Sequence, residues 1–170
     1  MMRLLLMRHG AAEDRAPSGR DADRRLTDTT VTRLAVAGRI LADQGYAPEV
    51  ILSSPFERAR RTAELMAEAL HPPCGVVVCD LLAGSYTLAM LEDVVGVHAG
   101  VTELMIVGHN PTVTHIVRHL TDTQNVSLSP GMIAVVDLPS GSFIRREGVL
   151  QRVIDTETLS TSDFDSARHG

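Results

Sequence analysis

The chain has no tryptophan, and aromatic residues make up only 3% of its 170 residues. That scarcity argues against a platform on which nucleic-acid bases would stack. Basic charge is also in short supply. The formal net charge is −5, which leaves no electropositive footprint for nucleic acid. There are two cysteines, Cys74 and Cys79, in or beside an apolar run. They read as buried thiols, not as a disulfide framework or a zinc site. No apolar run is long enough for a membrane helix. The apolar start is cut by Arg8-His9, so it lacks the long apolar core and small-residue cleavage site of a signal peptide. These absences predict a soluble, cytoplasmic chain with no nucleic-acid or membrane partner, a monomer or weak dimer.

What remains is ordinary globular composition, 44% hydrophobic and 22% charged, in a length that suits one domain with a sizeable core. The expected division is a single domain over residues 1–154 and a polar tail over 155–170, rich in Ser, Thr and Asp and expected to be flexible. Leu4-Leu5-Leu6-Met7 is a buried strand that stops at Arg8-His9, and Gly10 permits a sharp turn there. Residues 11–25 form a polar loop of a length that is often functional. Thr27 or Asp28 can cap a helix that runs through Leu34 and Leu41 to Gln44, with Gly45 after it. Val50-Ile51-Leu52 is a second strand. Ser54 reads as the cap of the next helix, with Pro55 in its first position and Glu57 completing a capping box. Val76 to Cys79 is a third strand, residues 88–98 are a helix, and residues 103–107 are a fourth strand. Asn110 can cap, and Pro111 can start, the helix that follows. Residues 132–138 make a strand, the Pro139-Ser140-Gly141 turn reverses it, and residues 142–145 pair back as a hairpin, with a little more strand over 149–154.

Strands alternating with helices predict an α/β fold, a three-layer α/β/α sandwich with a mainly parallel central sheet and an antiparallel edge hairpin. In such a sheet, ligands bind at the carboxyl ends of the strands. Three strand ends here carry residues suited to phosphate: Arg8 and His9, then Ser54-Pro55 with Arg58 one turn on, then Gly108-His109-Asn110-Pro111. Two helix N-termini would add free N–H groups and positive dipole ends. Two arginines could each present a planar fork to phosphate oxygens. His9, fixed on a strand end, could attack phosphorus, with its tautomer set by a backbone carbonyl near Gly10 or by a turn residue. Arg8, Arg58 and His109 could stabilise charge on the transferring group. Thr62, one turn after Arg58, reads as a packing or orienting residue. His115 and His119 are four apart on a helix, which is metal-ligand spacing, but no third ligand accompanies them. They read as surface or packing histidines, and no metal or other cofactor is expected.

Met7-Arg8-His9-Gly10, the run Ser54-Pro55-Phe56-Glu57-Arg58-Ala59-Arg60-Arg61-Thr62, and Gly108-His109-Asn110-Pro111 together resemble the histidine phosphatase (phosphoglycerate mutase-like) superfamily. The resemblance spans roughly residues 1–120. It implies that His9 is the phosphorylated nucleophile and that Arg8, Arg58 and His109 complete the phosphate pocket. Asp23-Arg24-Arg25-Leu26-Thr27 is similar to a family stretch in which proline stands where Arg25 is, so Arg24 is a further candidate for a phosphate contact. The family's larger members carry capping insertions and a general acid after the third strand. This chain is short there and reads Asp80-Leu81-Leu82-Ala83-Gly84. It is most similar to the short SixA-type phosphohistidine phosphatases. Imidazole leaves more easily than an alkoxide, so a phosphoramidate substrate fits a site without that acid. Asp80, Glu13 and Glu92 remain candidate acids. The implied activity is a metal-independent phosphatase acting on protein phosphohistidine. The alternatives are a small-molecule phosphomonoesterase of the same family and a phosphate-sensing scaffold without turnover.

Overall fold

A computed structural model describes residues 1–159. Its elements in chain order are β1 (Met2–Arg8), α1 (Asp28–Asp43), β2 (Val50–Ser53), α2 (Glu57–Leu70), β3 (Val76–Val78), α3 (Leu88–Gly96), β4 (Glu103–Gly108), α4 (Thr112–Thr121), β5 (Met132–Leu138) and β6 (Val149–Asp155). Short 3-10 turns occupy Asp21–Asp23 and Asp80–Ala83. The six strands form one sheet in the order β3-β2-β4-β1-β5-β6. The first four strands pair in parallel, β5 runs antiparallel to β1, and β6 runs antiparallel to β5. This is the expected α/β architecture.

The unbroken apolar run of β1 reflects its central place, where both faces of the strand are covered. Leu4 and Leu6 pack on one face with Leu91 of α3 and Val113 and Val117 of α4. Leu5 and Met7 pack on the other with Leu34 and Leu41 of α1 and Ala63 and Met66 of α2. The two cores make the three layers. Helices α1 and α2 touch closely at Gly38, where a Cβ would stand 2.8 Å from that of Ala69. Thr27 caps α1 by accepting the Thr30 N–H at 3.2 Å.

Several local expectations change. Helix α2 begins at Glu57 with Phe56 in the cap position, so Ser54 does not cap it and the capping box does not form. The Ser54 hydroxyl accepts the Phe56 N–H at 3.3 Å and is otherwise turned toward His109. Helix α4 begins at Thr112, and Asn110 does not cap it. Instead the Asn110 side chain donates to the Leu128 carbonyl at 2.7 Å and accepts from Thr114 Oγ1 at 2.8 Å. The strand that pairs with β5 is β6, not residues 142–145. Those residues are pinned instead: Glu92 accepts from Ser142 Oγ and from the Phe143 and Ile144 N–H groups. Strand β6 reaches Asp155, and Thr156 is buried and donates to the Gly131 carbonyl at 2.8 Å. The packed chain therefore continues past residue 154, while residues 160–170 of the expected tail lie outside the described residues. Among the described residues, no helix is long and apolar enough to cross a membrane.

Candidate active site

The register of the sheet brings the three strand ends level. Arg8 of β1 stands beside Gly108 of β4, and Ser53 of β2 stands beside Val107. Just past those ends, the His9 N–H donates to the Gly108 carbonyl at 3.0 Å and the Ser54 N–H to the Val107 carbonyl at 3.1 Å. The Gly131 N–H, at the entry to β5, donates to both the Arg8 and His9 carbonyls. A cleft of about 480 Å³ opens over this edge. Arg8, His9, Arg24, Arg58 and His109 all line it, as do Phe56, Asn110 and Thr112. The cationic and imidazole side chains proposed from the sequence, Arg8, His9, Arg24, Arg58 and His109, therefore reach one cavity, whereas Ser54 and Pro55 are not in its lining.

His9 is held from both ring nitrogens. Its Nδ1–H donates to the Gly10 carbonyl at 2.8 Å, which leaves Nε2 as the unprotonated nitrogen. That nitrogen accepts the Arg58 Nε–H at 3.2 Å. The His109 ring lies 5.1 Å away, and its Nε2 pairs with Ser54 Oγ at 2.7 Å. Phe56 packs edge-on against His109 and under the Arg58 guanidinium. Burial, opposed by the Gly10 hydrogen bond and reinforced by the charges of the cleft, lowers the His9 pKa from 6.5 to about 4. Burial and the Arg58 charge lower that of His109 to about 4 as well. Both imidazoles are neutral at pH 7, the state a nitrogen nucleophile requires.

Two buried side-chain atoms among the described residues have no hydrogen-bond partner, Arg8 Nε and His109 Nδ1. Both belong to cleft residues. Unpaired buried polar atoms are costly, so their concentration here marks a place built for a polar ligand. Arg8 gives one other donor to the Leu128 carbonyl at 3.1 Å and pairs with no carboxylate among the described residues. The cleft lining contains no Asp or Glu, and Ala83 and Gly84 form the wall where the sequence lacks an acid. The three candidate acids are absent from that lining. Glu13 accepts the Arg25 N–H at 3.0 Å, and Glu92 is taken up by residues 142–144. Asp80 opens the 3-10 turn beside the cleft without entering it. His115 and His119 lie on α4 over a separate cavity, where His119 meets the Ile144 carbonyl at 3.2 Å. Among the described residues, no three His, Cys, Asp or Glu side chains gather to hold a metal ion.

A family model described as histidine phosphatase superfamily (branch 1) matches residues 4–83. An uncharacterised protein of Picosynechococcus sp. is 40% identical over 114 residues, which is 65% of this chain and 67% of that protein. The chain belongs to the histidine phosphatase superfamily. Among solved histidine phosphatases, the protein histidine phosphatase SixA complexed with tungstate superposes with a TM-score of 0.79 at 25% identity, covering 94% of this chain and 100% of that one. A putative phosphohistidine phosphatase SixA from Nakamurella multipartitia gives 0.69 at 29% identity, covering 90% and 95%. A putative alpha-ribazole-5'-P phosphatase from Escherichia coli shares the fold, with a TM-score of 0.69 at 14% identity over 94% of this chain and 100% of that one. Membership of the histidine phosphatase superfamily supports phosphatase activity for this chain.

Two features of this histidine phosphatase cleft escape a reading of the sequence. Ser54 is a partner of His109 rather than a helix cap. Asp21, one charge among many in the polar loop, binds both Arg58 and Arg24. The signal for Asp21 was its place three residues before Arg24, just ahead of the stretch that resembles the family. The expected pair of arginine forks aimed at phosphate also changes, because Asp21 takes both terminal nitrogens of Arg58.

Proposed function

We propose that this chain is a metal-independent phosphatase that removes the phosphoryl group from phosphohistidine in a protein or peptide, through a phosphorylated His9. His9 Nε2 forms the bond to phosphorus while the P–N bond to the substrate imidazole breaks. The departing imidazole takes a proton from water. Water then attacks phospho-His9, releasing inorganic phosphate and restoring the neutral ring. Arg8 contributes Nε–H, and Arg58 contributes its Nε–H, which passes from His9 Nε2 to a phosphoryl oxygen as the nitrogen lone pair attacks. With the Ser54 hydroxyl donating to His109 Nε2, the one N–H of the neutral ring sits on Nδ1, where it can donate to a phosphoryl oxygen. These donors act on charge that grows in the transition state. Arg24 also lines the cleft.

The observation that carries the reading is the pairing of His9, whose Nδ1 is tied to a backbone carbonyl and whose Nε2 faces an arginine, with a cleft wall that lacks any acid. An alkoxide leaving group needs a proton donor, whereas an imidazole can take its proton from solvent. The likeness to SixA structures supports the same substrate class. A second reading, a small-molecule phosphomonoesterase, is supported by the fold shared with the alpha-ribazole-5'-P phosphatase.

The test is turnover in EDTA of a phosphohistidine peptide and a panel of phosphate monoesters, by wild type and His9→Ala. Strong preference for the peptide, lost in the variant with the fold intact by circular dichroism, is expected. Preference for a monoester would transfer the assignment to the second reading. Full activity of His9→Ala would remove His9 as the nucleophile.

A further inference from the structure

Arg58 is the most constrained cation in the cleft. Its side chain is 8% exposed, and each of its three nitrogens has a partner. Nη1 donates to the Asp21 carbonyl at 2.7 Å and Nη2 to Asp21 Oδ2 at 3.0 Å, while Nε stays on His9. The guanidinium plane also lies over the Phe56 ring, 5.1 Å from its centroid. Asp21 opens the 3-10 turn Asp21–Asp23, and its other oxygen accepts from Arg24 Nη1 at 2.9 Å. Arg24 is itself tied back to the loop, donating through Nε to the Glu13 carbonyl at 2.7 Å. One carboxylate outside the cleft lining thus bridges two arginines that are both in it. With the Asp21 backbone carbonyl, it occupies the end of the Arg58 fork, the part best shaped for bidentate capture of an oxyanion.

Two consequences follow from this geometry. Holding both terminal nitrogens fixes the rotation of the guanidinium, so the Nε–H stays beside His9 Nε2, within reach of an oxygen of the phosphoryl group that bonds there. A fork that cannot turn toward the anion, and whose charge is partly offset by a carboxylate, holds inorganic phosphate less tightly and lets it leave. We propose that Asp21 is a positioning residue for phosphoryl transfer: it clamps Arg58 so that Nε–H serves the His9 centre, and it weakens the grip of the arginine pair on released phosphate. The rate part of this proposal rests on His9 being the nucleophile. The affinity part needs only that the cleft binds phosphate.

The experiment compares Asp21→Asn and Asp21→Glu with wild type. Inorganic phosphate affinity is read by calorimetry, and kcat and KM are read on the phosphohistidine peptide or, should that fail, on the best monoester. Asp21→Asn is expected to lower kcat by about tenfold or more, since a small misaim of a catalytic donor is costly. It is also expected to tighten phosphate binding several-fold, a modest gain because the lost carboxylate is well exposed. Asp21→Glu keeps the charge but not the reach, so its phosphate affinity should return toward wild type while kcat stays low. A purely structural role would weaken binding and rate together. That result, or unchanged phosphate affinity in Asp21→Asn, would overturn the proposal. Absence of turnover on the peptide would instead count against the substrate reading, and the calorimetry would still decide the affinity part for Asp21.

Discussion

Thr62 shows how one hydroxyl can hold the site together. It is fully buried, accepts the Gly10 N–H at 3.1 Å and donates to the Arg58 carbonyl at 2.7 Å. The turn after the nucleophile and the helix carrying Arg58 are thereby locked to one atom. Thr62→Val keeps the shape but leaves the Gly10 N–H buried without a partner, which costs about 1–3 kcal/mol. Urea unfolding followed by circular dichroism should show that loss for Thr62→Val and much less for Thr62→Ser, and turnover should follow the same order. Equal stability of the two variants would mean that the Gly10 N–H finds another acceptor. Gly10 has a separate reason to be glycine. A Cβ there would lie 2.5 Å from Thr30 Cγ2 and 3.0 Å from Leu34 Cδ1, so Gly10→Ala should force α1 outward and lower the thermal midpoint. At this scale Arg8, His9, Arg58 and His109 were legible in the sequence, because each sits at a strand end or one turn into a helix, where the chemistry is local. Asp21 and the true partner of Ser54 were not. Asp21 meets Arg58 across 37 residues of sequence and Ser54 meets His109 across 55, and no local pattern records such a pairing.

Strands β1, β2 and β4 were readable as elements because a strand covered on both faces must be continuously apolar. The edges were harder. Strand β6 is an edge strand, with Val149, Gln151, Arg152 and Val153 exposed, so its pattern is mixed and its charge guards a free edge. Residues 142–145 lie closer to the turn and offer an equally plausible return strand until Glu92 enters. That carboxylate, on α3, collects three donors from residues 142–144 and holds Phe143 in the core. Replacing it by Gln removes the charge from those hydrogen bonds, whose loss costs about 1–3 kcal/mol in total. Amide exchange at Phe143 and Ile144 should accelerate in Glu92→Gln, while turnover stays at the wild-type level. A large fall in turnover with no change in exchange would return Glu92 to the list of acids.

At the scale of the whole molecule, the sheet order creates the site, because β1 and β4 lie side by side and their ends set His9 and His109 5.1 Å apart. The same packing has a consequence for stability. Burial favours the neutral form of both rings, each with a pKa lowered from 6.5 to about 4. In an unfolded chain these histidines would titrate near about 6.5. Between those values the unfolded chain binds protons that the native chain does not. Stability from the buried rings is therefore complete above about pH 6.5, falls as the pH is lowered toward about 4, and does not fall further from this cause below that. His9, almost fully buried, contributes at most about 1.4 kcal/mol per pH unit across the window. His109 is more open and contributes less. The urea midpoint of wild type should thus drop steadily from pH 7 to pH 4.5, and that of His9→Asn should drop less steeply, because one of the two rings is gone. Parallel slopes for the two proteins would show that His9 takes up its proton as easily in the folded chain as in the unfolded one, and a ring that does so could not be held neutral by burial for attack on phosphorus.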